Sequence, residues 1–190
     1  VALRVNPDLP PKTHAKTDTS VKGVKFGLDI DTVLEFAQKV VKNPHVKVVG
    51  LHMHLGSPIL TTDPYAAAAQ KAIETCDVVV FMAGSSVGER DFVPEVVNGM
   101  GQPGILVHGI QFRPGKPTLF AVCDGGQPGV AKPVFGLPGN PISALVTATL
   151  FVQPTLWWVQ GAAAPLPNVV AATLTEAVKS PKELEHWVPV

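Results

Sequence analysis

Two cations stand three residues apart in the segment Arg113-Pro114-Gly115-Lys116-Pro117. Proline and glycine stiffen this turn, so a guanidinium fork and an ammonium are held as fixed partners for anionic oxygens. A second segment, Gly84-Ser85-Ser86-Val87-Gly88, precedes a predicted helix over 91–98 that Gly99 closes. A Gly- and Ser-rich loop at a helix N-terminus offers backbone N–H groups to phosphate or a similar oxyanion, and Ser85 and Ser86 add hydroxyl donors. A third stiff loop, Leu137-Pro138-Gly139-Asn140-Pro141, launches a long apolar helix. Nearer the start, His52 and His54 fall on one face of a predicted strand (i, i+2). The turn Gly56-Ser57-Pro58 follows them and can present an N–H and a hydroxyl to an anion. Two imidazoles without a neighbouring carboxylate do not make a metal centre, so no metal is expected. Cys76 and Cys123 have no metal-type or redox-type spacing and read as two reduced thiols.

The elements that must position these groups alternate between strand and helix. Residues 1–5 read as a short apolar strand ending at Asn6-Pro7, and a polar loop runs from Asp8 to Gly27. Asp29 or Asp31 can cap a helix to about Lys42, with Val33, Leu34, Phe36, Ala37, Val40 and Val41 as its apolar stripe and Asn43-Pro44 as its stop. Residues 46–51 and 78–82 are nearly continuous apolar runs, as buried parallel strands should be. Between them Asp63-Pro64 opens a helix to about Thr75. Strands are predicted at 104–109, 118–123 and 132–137, then a helix over 142–159 interrupted by Pro154, then short strands at 169–175 and 186–190. The alternation predicts a three-layer α/β fold: one mostly parallel, Rossmann-like or flavodoxin-like sheet of five or six strands with helices on both faces. Ligands of such sheets bind where the strands end, so the four distinctive loops are expected on one rim. The domain is predicted to span 1–161, with 162–190 as a tail.

With 46% hydrophobic and 16% charged residues, the chain can fill a core; its 19 prolines and 17 glycines point to many ordered turns. A formal net charge of zero gives no basic surface, so nucleic acid is not an expected partner. Pro, Gly and charges break the apolar runs short of about 20 residues, so no membrane span is expected, and no signal peptide is recognised. A cytoplasmic setting follows, and Trp157-Trp158 is a candidate core or subunit contact. The first residue is Val rather than Met, which reads as an excised piece.

Residues 1 to about 72 resemble the diaminopimelate decarboxylase family, pyridoxal-phosphate enzymes on a (β/α)8 barrel. The resemblance rests on Leu3-Arg4-Val5-Asn6-Pro7, Lys12-Thr13-His14, Lys25-Phe26-Gly27 and Gly50-Leu51-His52-Met53-His54-Leu55-Gly56-Ser57. It implies that His54 stacks on the cofactor ring and that Gly56 and Ser57 contact its phosphate. The family's Schiff-base lysine, Gly-rich phosphate loop and Glu-Pro-Gly-Arg segment are missing, so these residues read as vestigial and pyridoxal phosphate is not expected to bind.

From about Asp77 to Gly161 the chain resembles the molybdopterin molybdenumtransferase family, which inserts molybdate into adenylylated molybdopterin. The resemblance rests on Asp77-Val78-Val79-Val80, Gly84-Ser85-Ser86-Val87-Gly88-Glu89-Arg90-Asp91, Arg113-Pro114-Gly115-Lys116-Pro117 and Phe135-Gly136-Leu137-Pro138-Gly139-Asn140-Pro141. It implies a molybdopterin or anion site formed by Ser85, Ser86, Gly88, Asp91, Arg113, Lys116, Pro138, Gly139 and Pro141, with Asp91 near the point of metal insertion. Many members carry glycine where this chain has Ala83. The family's own opening strands and an acidic loop are replaced by barrel sequence, and the tail resembles the start of a small β domain.

Three readings follow. The chain is an engineered fold chimera without an intact active site, with the seam in the helix over 64–75, where the run Ala66–Ala69 keeps side chains small. Alternatively, it is a residual molybdopterin- or anion-binding module, with a second copy of the chain as a partner. A working transferase requires partners that supply the missing loops. On the first reading there is no catalysis and no resident cofactor.

Overall fold

The computed structural model describes residues 1–9, 20–56, 61–84, 91–163, 169–180 and 182–188. The backbone forms two compact units, Val1–Cys76 and Asp77–Val190, where the sequence suggested one domain over 1–161. The division falls at the end of the helix that was read as the seam.

In the first unit, β1 (Ala2–Asn6) lies between β2 (Leu28–Asp29) and β3 (Gly50–His52), parallel to both. Leu3, Val5 and Asn6 are buried on β1. Strand β3 is shorter than the predicted 46–51 because ladder pairing starts only at Ala2↔Gly50. Helix α1 (Ile30–Val41) is capped by Asp29 through backbone geometry alone; the Asp29 carboxylate instead accepts from the N–H of Gly23 at 3.1 Å. Its apolar stripe is largely uncovered, with no residue buried and Leu34 73% exposed. Helix α2 (Asp63–Thr75) buries Pro64, Ala68, Ala69 and Ile73, and Ala68 meets Leu55 in a small apolar cluster. Alanine at these positions lets the helix approach closely but buries little apolar area.

In the second unit, β4 (Val79–Met82), β5 (Pro103–His108), β7 (Leu119–Cys123) and β8 (Lys132–Leu137) form one sheet in the order β4-β8-β7-β5. Only the β4–β8 pair is parallel; β7 is antiparallel to both β8 and β5. The strand-sized segments after residue 103 follow one another without an intervening helix. Parallel neighbours need a crossover of a dozen or more residues, so these strands must turn back on themselves. Strands β6 (Phe112–Arg113) and β9 (Glu185–His186) pair with each other, in parallel. Among the described residues of this α/β chain the strands form three sheets, where the sequence-based expectation was one mostly parallel sheet.

Helix α3 (Val93–Asn98) buries Val93, Val96 and Val97. A continuous helical run follows β8: α4 (Pro141–Thr147), a π segment (Ala148–Val152) and α5 (Gln153–Val159). Pro154 was expected to interrupt this run. The chain absorbs it in the π turn, where the N–H of Gln153 donates to the carbonyl of Ala148 five residues back. A wider turn relieves the clash between a proline ring and the carbonyl four residues earlier. The resulting 19-residue helix is long and apolar enough to cross a membrane by length and composition, contrary to the expectation of short, broken runs. One side of it packs on the sheet: Ala144 and Val152 join Phe135 and Leu137, with Phe120 and Phe151 against them. Residues 169–175 form no strand, and Val169 is exposed.

Candidate functional site

The register of the second sheet brings four strand ends to one rim. Met82 pairs with Leu137, Leu119 with Gly136, and His108 with Leu119. Ala83-Gly84, 138–140 and 109–118 leave these ends, which spread over roughly 14 Å of rim at ordinary strand spacing. Of the four loops predicted to gather, those at Arg113–Pro117 and Pro138–Pro141 leave this rim, as does Gly84, the described start of the third. Gly56 belongs to the other unit, and Ser57 lies outside the described residues.

At the β4 end, Ala83 takes φ 68° and Gly84 φ 73°. The Ala83 N–H donates to the Leu137 carbonyl at 3.1 Å, tying the start of this loop to the end of β8. The Val93 N–H returns to the Gly84 carbonyl at 3.3 Å, so half-buried Asp91 lies back at the rim. Ser85, Ser86 and Gly88, between them, lie outside the described residues.

Pro138 is buried, while Gly139 and Pro141 are exposed. Asn140 caps α4, its side-chain oxygen accepting from the N–H groups of Ile142 and Ser143 at 3.1 and 3.2 Å. These amides are thus occupied by the protein itself. Helix α3 has six residues and so only a slight dipole. The anion attraction expected from helix N-termini therefore passes mainly to the two cations.

Arg113 and Lys116 are exposed on a loop that is closed by its own backbone. Ile110 donates to the Lys116 carbonyl at 2.9 Å and Gly109 to the Thr118 carbonyl at 2.9 Å. Buried Thr118 donates through both its N–H and its hydroxyl to the Gly115 carbonyl. Gly115, at φ 126°, lies against Thr147 of α4 and Phe112, leaving no room for a side chain. Neither Arg113 nor Lys116 is engaged in an ion pair among the described residues.

The short strand predicted at 186–190 is β9, which begins one residue earlier and covers only Glu185–His186; its partner, β6, was not predicted. Glu185 donates to the Gln111 carbonyl at 3.2 Å and Trp187 to the Arg113 carbonyl at 2.7 Å, so the tail reaches the cationic loop. No periodicity announces a two-residue strand. Beside this pairing the Phe112 and Trp187 rings meet, with centroids 6.0 Å apart.

In the first unit, His54 is exposed, and partial desolvation with the positive charges of Arg4 and His52 holds its imidazole below the usual value. Among the described lysines of this unit, Lys22 pairs with Asp31, Lys39 with Glu35, Lys71 donates to the Pro7 carbonyl, and Lys25 lies over the Phe26 ring. Among the described residues no group of three or more His, Cys, Asp or Glu could hold a metal ion. Both cysteines are free; Cys123 is buried and Cys76 half-buried.

The family model for a probable molybdopterin binding domain matches residues 46–157. The chain belongs to this molybdopterin-binding family. A second model, the pyridoxal binding domain of pyridoxal-dependent decarboxylases, matches residues 1–89, so the two ranges overlap from 46 to 89. The overlap contains α2. Among curated proteins, the chain is similar to a molybdopterin molybdenumtransferase of Staphylococcus aureus, with 31% identity over 155 residues, 78% of this chain and 35% of that protein. A counterpart in Staphylococcus epidermidis is 36% identical over 107 residues, 56% of this chain and 24% of that protein. The chain thus spans about a third or less of the length of these relatives. Among solved structures, a molybdopterin biosynthesis protein from Pyrococcus horikosii is 27% identical over 84% of this chain and 34% of its own, with a TM-score of 0.46. A diaminopimelate decarboxylase from Helicobacter pylori is 33% identical over 38% of this chain and 18% of its own, with a TM-score of 0.36. Both resemblances read in the sequence are therefore present in one chain.

Proposed function

We propose that this chain is an engineered chimera of a decarboxylase barrel fragment and a molybdopterin-binding fragment, without catalytic turnover. What it retains is an anion-binding rim suited to the phosphate of molybdopterin or to molybdate. The observation that carries this reading is the loop 109–118: it is braced by its own hydrogen bonds and by Thr147 against Gly115, with Arg113 and Lys116 left exposed. Fixed cations at a strand-end rim bind oxyanions without reorganising. Asp91 and the segment Pro138–Pro141 border the same rim and give it shape. Ser85, Ser86 and Gly88 join the site on family resemblance. The reading needs only α/β units with loops at their strand ends, not a three-layer sheet.

The absence of turnover follows from the missing half of each parent site. On this reading the chain has no resident cofactor or metal and does not engage nucleic acid. The helix 141–159 serves the core through Ala144 and Val152 rather than crossing a membrane. The reading includes a cytoplasmic setting and self-association through exposed apolar surface near Trp158.

Calorimetric titration with molybdate, inorganic phosphate and adenylylated molybdopterin tests the proposal. Saturable binding is expected, lost in an Arg113→Ala, Lys116→Ala double variant of unchanged melting temperature. Equal heats in both proteins would reject the rim as the site, and release of molybdenum cofactor would reject the absence of turnover.

A further inference from the structure

We propose that Glu185–Trp187 is a strap that positions the cationic loop; as a statement about anion affinity, this rests on the reading above. Strand β6 has two residues, and its partner among the described residues is β9. Two tail amides, those of Glu185 and Trp187, donate to the carbonyls of Gln111 and Arg113, on either side of Phe112. Phe112 is buried between the Trp187 ring at 6.0 Å and the Phe151 ring at 5.8 Å. The Trp187 indole is held in turn, its Nε1–H donating to a Glu185 carboxylate oxygen at 2.7 Å. Successive residues of a strand point to opposite faces, so clamping Phe112 inward directs Arg113 outward. The strap thus determines which way the guanidinium faces, and Lys116 follows through the closed turn. Ordering the loop before a ligand arrives removes an entropy loss on binding.

The test compares the full chain with Trp187→Pro, which deletes the donor to Arg113 and the ring, and with Trp187→Phe, which keeps the N–H and an aromatic ring. Hydrogen exchange is read at Ile110, Phe112 and Thr118, whose amides are bonded within the loop, and at Leu119–Cys123 as the sheet reference. The strap predicts exchange at least about tenfold faster at the loop amides in Trp187→Pro, a near-normal rate in Trp187→Phe, and an unaltered sheet. Phosphate affinity should weaken about tenfold in the proline variant and recover in the phenylalanine variant. Unchanged loop exchange, or equal acceleration across loop and sheet, overturns the strap. Unchanged phosphate affinity in the proline variant overturns its role in positioning. If the full chain binds neither phosphate nor molybdate, the anion-binding reading fails, and loop exchange alone decides the strap.

Discussion

The Cβ of Ala83 faces the backbone of Gly139 so closely that a side-chain carbon added at Gly139 would stand 3.1 Å from it. Ala83 holds φ 68°, a left-handed conformation that costs an L-residue about 1–2 kcal/mol. Contact with the end of β8 and the hydrogen bond to Leu137 keep it there. Ala83→Gly is expected to raise stability by up to about 1 kcal/mol, after subtraction of the extra chain entropy of glycine. Urea unfolding measures this, and a loss of stability would mean that the Ala83 methyl contributes more than its strain.

Gly115 is the opposite case. Its φ of 126° and the nearness of Thr147 and Phe112 exclude any side chain. Gly115→Ala should destabilise the chain by about 2–4 kcal/mol, from backbone strain plus overpacking. Denaturant midpoints at constant slope would show it, and a change within experimental error would place the loop away from α4.

The depressed His54 imidazole makes a pH prediction. Its folded value lies below the unfolded value near 6.5, so the unfolded chain binds the proton more readily. This contribution to stability is complete above about pH 6.5 and is lost as pH falls through the window below it. The melting temperature should decline more steeply from pH 7 to 5 in the parent than in His54→Gln, with parallel curves above pH 8. Parallel curves throughout would remove His54 from the account.

Cys123 is fully buried, and burial followed by the charge of Asp124 pushes its thiol up. Its Sγ–H donates to the Val97 carbonyl at 3.7 Å. Cys76, half-buried, should react first with a thiol reagent, giving one fast equivalent and a second only on unfolding. Two equal fast phases would contradict the packing between β7 and α3.

Local signals were read correctly where one short stretch carries the whole cause. Asn43-Pro44 ends α1 near where it was expected, Pro64 opens α2, and residues 118–123 and 132–137 are strands within one residue. Ala83 departs from the family's glycine at a position whose φ is positive, 68°. Strand β3 was overlong because apolarity does not say how far a partner strand extends. The parallel sheet was expected because the early β-α alternation was carried past residue 103, although the later segments have no helix between them. Pro154 was read as a break because the π turn that accommodates it depends on how the helix packs.

By itself the sequence determined the chemical inventory: two cations in a stiff turn, glycine-bearing loops after apolar runs, and motifs of two families that meet near residue 75. Those properties reside in residue type and short spacing, which physics reads locally. Only the tertiary structure decided that strands after 103 turn back on themselves, that Asn140 consumes the amides of α4, and that the tail returns to Arg113 through Trp187 and Phe112. Each of these joins residues far apart in the chain or depends on hydrogen-bond geometry. Such pairings are selected by which apolar faces and backbone groups remain unsatisfied once the local elements have formed.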